Sequence, residues 1–352
     1  MKKKKKNPKL ALQNIHPVGW DKKRLKEILR QFEDRRILVV GDVGVDRYTM
    51  GSVERISPEA PVPIVLVQEE KLKLGLAANV ADNVNALGGI PLLTGIVGLD
   101  RGAEDFRELL KSSGIEAGYL LTDRSRRTVL KERVVSERQQ LLRVDYESSH
   151  PLDAETERKV IQRIEDLIPR VDAVILEDYA KGVVTERVAR AVFSAAKKQG
   201  KRVTVDPNAK TQVSRYLGAS VLTPNTREAE ALAGLAIRDE ASLLEVGSRI
   251  LKAAKAEHVI ITRGKEGMAI FSAGVSKCRI IPTYAREVYD VSGAGDTVIA
   301  VLTLALASGA SVEEATVLGN LAAGVEVGKR GTATVTPEEV RVAMEFFARM
   351  PG

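Results

Sequence analysis

Short, continuously apolar runs alternate with longer amphipathic stretches from Arg36 almost to the end of the chain. The first run, Arg36-Ile-Leu-Val-Val40, is too short for an ordinary helix and too evenly apolar for a half-solvated strand. It predicts a strand covered on both faces. After residue 154 the rhythm is regular. Helical periodicity over 155–167, 185–198, 226–233 and 242–254 is interleaved with strand-like runs over 173–178, 202–205, 221–223, 258–262 and 268–271. Further helices are expected from Asp296 and from Glu313. This alternation predicts an α/β fold, a doubly wound and mostly parallel sheet flanked by helices.

Upstream, helices over 21–32 and 106–111 and strands over 92–97 and 117–121 continue the rhythm, but two segments break it. Residues 47–74 contain Ser57-Pro-Glu-Ala-Pro-Val-Pro63, which cannot be helical. Residues 128–135 and 140–145 read as two strands joined by the polar turn Ser136-Glu-Arg-Gln139. Together these segments predict a small separate β-sheet placed as a lid. The expected organisation is a basic tail and short helix over 1–34, one domain over 35–346 with lid insertions at 47–74 and 127–146, and a tail over 347–352.

Charge changes this picture little. The chain has 352 residues and a net charge of +7, and six of its positives are Lys2 to Lys6 and Lys9. Removing six from +7 leaves the body near +1, which argues against a nucleic-acid surface spread over the domain. The lysine run reads as a solvated tail. No run approaches the ~18 apolar residues of a membrane span. Cys278 is the single cysteine, so an internal disulfide is excluded and a reducing, cytoplasmic setting is expected. His16, His150 and His258 fall in no ligand-spaced cluster.

Candidate chemistry concentrates at strand ends and in one glycine-rich stretch. Asp290-Val-Ser-Gly-Ala-Gly-Asp-Thr297 precedes the apolar segment 298–307. A helix starting there presents unpaired N–H groups and the positive end of its dipole, which suits a phosphate. Gly293, Ala294 and Gly295 would form the anion loop and Asp296 a base inside it; a plain N-cap is the simpler alternative for Asp296. The stretch matches neither a Walker loop nor a dinucleotide fingerprint. Asp42 and Asp46 follow the first strand, where they can accept hydrogen bonds from sugar hydroxyls or merely end the strand. Asn79 and Asn83, one turn apart, suit polyol recognition or capping. Lys131, Arg133 and Arg143 put positive charge on the expected lid. Asn225 and Glu228 can organise a hydrated Mg²⁺ or sit on a helix surface. Thr262-Arg-Gly264 is a turn fit to lie against a nucleotide.

Gly75-Leu-Ala-Ala-Asn79, Asn225-x-x-Glu228, Thr262-Arg-Gly264 and Asp290-x-x-Gly-Ala-Gly-Asp296, in this order, resemble the ribokinase-like (phosphofructokinase-B type) carbohydrate kinase family over about residues 35–345. Within it, Gly41-Asp-Val-x-x-Asp-Arg-Tyr48, Arg55-Ile-Ser-Pro-Glu-Ala-Pro-Val-Pro63, Gln139-Gln-Leu-x-Arg-Val-Asp145 and Val327-Gly-Lys-x-Gly-Thr332 are similar to the D-glycero-β-D-manno-heptose 7-phosphate kinases of ADP-heptose synthesis. The resemblance implies ATP and Mg²⁺ as cofactors, with a monovalent cation possible in the family. It implies Asp296 as base, Gly293, Ala294 and Gly295 as anion hole, and Asn225 and Glu228 on Mg²⁺ through water. Thr262, Gly264 and Lys210 would line the ATP site. Asp42, Asp46, Gly75, Asn79, Arg133 and Lys181 would hold the sugar phosphate. A homodimer joined through the lid is also implied, with no nucleic-acid partner. The chain contains no His-x-Gly-His nucleotidyltransferase motif, so a stand-alone kinase is expected. Leu76 departs from the family's usual Gly-Gly, and either crowds the sugar or turns into the core. The alternatives are a related kinase of another sugar or nucleoside, and a non-catalytic sugar- or nucleotide-binding regulator.

Overall fold

The structure, a computed structural model, describes residues 11–14, 20–136, 139–285, 288–329, 331 and 333–347. The lysine run, His16, two residues of the 136–139 turn and Thr332 lie outside the described residues.

Nine strands form the central sheet. From one edge the order is Ala11–Asn14, Lys277–Ile281, Met268–Ser272, His258–Thr262, Val221–Leu222, Arg202–Asp206, Ala173–Glu177, Arg36–Gly41 and Ile90–Thr94. The six strands from His258–Thr262 to Ile90–Thr94 run parallel, and Met268–Ser272 is antiparallel to both its neighbours. Side chains alternate across a strand, and the core follows suit. Ile37, Val39 and Ile175 pack on one face with the helices Ala77–Ala86, Ala294–Ala307 and Val312–Glu326. Leu38, Val40, Val174 and Leu176 pack on the other with Ala154–Leu167, Glu186–Lys198 and Glu240–Ala254. Every residue from Asp296 to Leu306 is buried, so this helix is enclosed on all sides rather than amphipathic.

The expected lid is a four-stranded sheet ordered Pro63–Leu76, Val43–Ile56, Val129–Ser136 and Gln139–Tyr146. Its long strands are largely exposed at their far ends and buried where they meet the main body. Two local expectations are corrected, and one of the two alternatives at Leu76 is chosen. Residues 92–97 are not one strand: Ile96–Val97 leaves the sheet and pairs with Leu121–Thr122, the only strand in the 117–122 segment. Ala11–Asn14, read as tail, pairs in parallel with Lys277–Ile281 at the sheet edge. Leu76 is 6% exposed and belongs to the core. It sits at φ 58° and ψ −137°, a conformation that favours glycine. No helix among the described residues is long and apolar enough to cross a membrane.

Candidate active site

Reading outward from Arg36–Gly41, the chain moves to Ile90–Thr94 on one side and Ala173–Glu177 on the other. The carboxyl ends of strands at such a switch point open a crevice where α/β folds bind ligands. Asp42, Glu177, Asp178 and Asp206 all lie there, at or just after strand ends.

The Ala294–Ala307 helix starts at the same edge. Gly293 is its N-cap, at φ 99°, a left-handed conformation that a residue with a Cβ rarely adopts. The N–H groups of Gly293, Gly295 and Asp296 meet no acceptor among the described residues, and that of Ala294 makes only a long contact to the Val291 carbonyl at 3.4 Å. Free amides at the positive end of an enclosed helix form a cradle for an anion. Asp296 lies in the first helical turn, 8% exposed. Asn79 Nδ2 donates to its Oδ2 at 2.6 Å and Tyr179 Oη to its Oδ1 at 2.8 Å. Burial pushes the Asp296 carboxyl up to about 6, against the opposing effect of these two hydrogen bonds. Asp296 is therefore held by neighbours rather than used as a cap, since it is not the capping residue.

The helix Ala77–Ala86 supplies this support. Asn79 and Asn83 share one face, and Asn83 Oδ1 accepts from Thr297 Oγ1 at 3.0 Å while its Nδ2 donates to the Asn79 carbonyl at 2.9 Å. Both amides thus grip the start of the enclosed helix, where sequence reasoning had offered polyol recognition or capping. Asp42, just after the first central strand, is held by backbone donors. Its Oδ1 accepts the Val183 N–H, and its Oδ2 the N–H groups of Tyr179 and Lys181, at 2.9–3.2 Å. Asp42 fastens the 179–183 loop and so holds Tyr179 against Asp296. Tyr179 was missed; the polar strand end Glu177-Asp178 immediately before it was the available signal.

Asp46 stands on the lid's basal end, where Arg133 Nη1 donates to its Oδ1 at 2.6 Å. A Cβ on Gly75 would come 3.1 Å from Asp46 Oδ2, so glycine leaves room for that carboxylate. Arg133 also stacks over Tyr48, 5.3 Å from the ring centre. Lys181 Nζ bonds Glu147 Oε1 at 2.6 Å, and Lys131 lies between Asp145 and Glu147. Arg143 pairs with Asp145. Lys131, Arg133 and Arg143 on the lid, and Lys181 on the loop after Ala173–Glu177, are thus each paired with a carboxylate.

Across the sheet, Asn225 and Glu228 form a reciprocal capping box at the start of Thr226–Ala233. Asn225 Oδ1 accepts the Glu228 N–H at 3.0 Å, and Glu228 Oε2 the Asn225 N–H at 2.9 Å. The second Glu228 oxygen carries no hydrogen bond among the described residues. Asn225 bridges Thr262 in backbone register, and Gly264 begins the following turn at φ 53°. The structure brings these three residues together. Lys210 is exposed on the loop after Asp206 and joins none of them by a hydrogen bond.

The strongest electrostatic feature is acidic. Carboxylate oxygens of Glu177, Asp206 and Asp296 lie within 4.8 Å of one another. Burial first, and then their neighbours' negative charge, raises Glu177 and Asp206 well above the usual carboxylate range. Hard oxygen donors of this kind suit a magnesium ion. Cys278 is buried, and burial pushes its thiol up to about 12, as befits an inert core residue.

A pfkB family carbohydrate kinase model matches residues 34–339. The bifunctional protein HldE of Geobacter metallireducens is 42% identical over 328 residues, covering 93% of this chain and 66% of that protein. HldE of Helicobacter hepaticus is 42% identical over 305 residues, covering 87% and 63%. The chain thus spans about two thirds of the length of the curated relatives it matches. Among solved structures, Escherichia coli phosphofructokinase-2 in complex with potassium superposes with a TM-score of 0.73 at 20% identity, covering 90% of this chain and all of that one. Arabidopsis thaliana ribokinase complexed with ribose and ATP gives 0.68 at 19% identity, covering 91% and 100%. The fold and the match over residues 34–339 agree: this chain belongs to the pfkB family of carbohydrate kinases.

Proposed function

We propose that the chain phosphorylates the anomeric hydroxyl of D-glycero-β-D-manno-heptose 7-phosphate with ATP, giving the 1,7-bisphosphate. The observation that carries the chemistry is the buried Asp296, aimed by two hydrogen bonds, beside the free backbone N–H groups of the glycine loop. Asp296 takes the hydroxyl proton, and the amides of Gly293, Ala294 and Gly295 receive the negative charge of the transferring phosphoryl group. Phosphoryl transfer needs little beyond such positioning and charge stabilisation. Asn225, Thr262 and Gly264 line the nucleotide side, with Lys210 reaching it by side-chain movement. Asp46, Gly75, Arg133 and Lys181 hold the sugar phosphate, while Asp42 and Asn79 position the groups around them.

Mg²⁺ fits the residues present: the spare oxygen of Glu228 would hold it through water, beside Asn225. When bound, the ion offsets charge on the ATP phosphates. The heptose assignment rests on the four sequence stretches named above and on the relatives of about 42% identity. The lid's exposed Val53, Ile56, Leu66, Val67 and Leu142 support pairing of two copies through this sheet.

Product analysis by ³¹P NMR tests the reaction. A new phosphorus resonance coupled to the anomeric proton is expected. Phosphate appearing at another hydroxyl would overturn the proposed regiochemistry.

A further inference from the structure

Arg126 is the only buried lysine or arginine among the described residues. A guanidinium taken out of water must be paired and hydrogen-bonded, and all three nitrogens of this one are used. Nε donates to Asp123 Oδ2 at 3.2 Å, Nη1 to the Lys181 carbonyl at 3.2 Å and Nη2 to the His150 carbonyl at 2.8 Å. Asp123 is buried beside it, and its other oxygen accepts from the N–H and the hydroxyl of Ser125.

These partners come from three segments that meet at one joint. Residues 123–126 lead into the lid strand Val129–Ser136, and His150 lies just past the end of the neighbouring strand Gln139–Tyr146. Lys181 belongs to the loop whose N–H groups Asp42 holds. Arg126 therefore ties together the chain entering the lid, the chain leaving it and the loop that carries Lys181. The fit is close: Gly182 is at φ 100°, and a Cβ there would collide with the His150 carbonyl. A buried ion pair is weak evidence for stability, because desolvation offsets the attraction. A planar fork with one donor for each segment instead fixes a geometry, which the single ammonium of a lysine cannot reproduce.

The backbone of Lys181 is thereby gripped on both sides, its N–H by Asp42 at 2.9 Å and its carbonyl by Arg126. Its side chain meets Glu147, on the stretch leaving the lid, at 2.6 Å. The two grips divide the loop. Asp42 also takes the N–H of Tyr179, which faces Asp296, whereas the hydrogen bonds of Arg126 reach Lys181 and the lid's return. We propose that Arg126 is a positioning residue for the acceptor's phosphate, setting Lys181 and the lid at the spacing that phosphate requires. Its purpose rests on the reading of a phosphorylated sugar as substrate; the clamp itself does not.

The test compares the full chain as wild type, Arg126→Lys and the exposed neighbour Arg124→Gln in Mg²⁺-ATP turnover of D-glycero-D-manno-heptose 7-phosphate. Arg126→Lys is expected to raise the KM for the sugar phosphate by roughly tenfold or more. Its kcat, its KM for ATP and the acid limb of its kcat–pH profile stay as in wild type, because Asp42 still holds Tyr179. Arg124→Gln matches wild type throughout. A purely structural role would instead reduce the amount of active enzyme, lowering kcat at unchanged KM. Arg126→Ala removes the fork altogether, and millimolar guanidinium is expected to restore its KM. Hydrogen exchange needs no substrate: amides over 147–151 and 179–184 exchange faster in Arg126→Lys than in wild type. An unchanged KM for the sugar phosphate, a displaced acid limb or unchanged exchange overturns the inference. If wild type ignores the heptose phosphate, the functional reading falls, and the exchange comparison alone upholds or overturns the clamp.

Discussion

Asp296 carries the catalytic account at the scale of single residues, and its neighbours make that account testable. Asn79 and Tyr179 both donate to it, and both oppose the effect of burial on its carboxyl. A base works when deprotonated, so activity should fall as pH drops through about 6, the value burial gives Asp296. Removing a donor raises that value further. The acid limb of the kcat profile of Tyr179→Phe should therefore move to higher pH, while Asp296→Asn should lose about 10²–10⁴-fold in kcat with ATP binding retained. An unmoved limb in Tyr179→Phe, or near-wild-type turnover in Asp296→Asn, would contradict the assignment. Asp296 was legible because its glycine-rich surroundings stand out in the chain. Tyr179 was not, because the Asp42 hydrogen bonds that place it join residues 137 to 141 positions apart. The acidic triad escaped for the same reason, being assembled from two strand ends and a helix start.

Elements show what local pattern can and cannot reveal. The buried strands were readable because parallel sheets covered on both faces need continuous apolar runs. The edge strand Ala11–Asn14 was not, since its four residues carry no such run and its pairing partner is Lys277–Ile281, far along the chain. Leu76 marks the join of lid strand and helix, and two opposing effects meet there. Its side chain is buried, but its backbone costs about 1–3 kcal/mol in a region suited to glycine. Leu76→Ala loses the packing and keeps the strain, whereas Leu76→Gly loses the packing and relieves it. Thermal unfolding should therefore rank Leu76→Gly above Leu76→Ala, the reverse of the usual order; the ordinary order would refute the strain.

Glu326, at the end of the Val312–Glu326 helix, makes a second prediction at this scale. It is fully buried, both its oxygens lack hydrogen-bond partners among the described residues, and burial pushes its carboxyl up to about 8. The folded chain thus keeps a proton that the unfolded chain releases near pH 4.5, and stability falls as pH rises between 4.5 and about 8. Glu326→Gln should flatten that decline when Tm is followed from about pH 5 to about pH 8.5. Parallel curves for the two proteins would show that Glu326 does not titrate there.

At the scale of the whole molecule, one sheet organises both the proposed site and the lid. Its carboxyl edge collects the glycine-rich start of the Ala294–Ala307 helix, the acidic triad and the Thr262–Gly264 turn, while the lid grows from the same edge and carries Asp46 and Arg133. The lid leaves Ile56, Leu66 and Val67 at least half exposed. Replacing Leu66 with Glu should shift sedimentation from dimer to monomer at micromolar concentration. A wild-type monomer would remove the lid as an interface. The α/β alternation and the lid strands were evident in the apolar pattern; how the lid packs against the Arg101–Ser112 helix was not, because that depends on packing between distant segments.

The central claim is sugar-phosphate phosphorylation with Asp296 as base, and ADP release tests it most directly. Wild-type protein and Asp296→Asn would be assayed with Mg²⁺-ATP against D-glycero-D-manno-heptose 7-phosphate, fructose 6-phosphate, fructose 1-phosphate, ribose and adenosine. The account predicts turnover by wild type with the heptose phosphate alone, and its loss in Asp296→Asn. Turnover confined to another acceptor, or equal turnover by the two proteins, would contradict it.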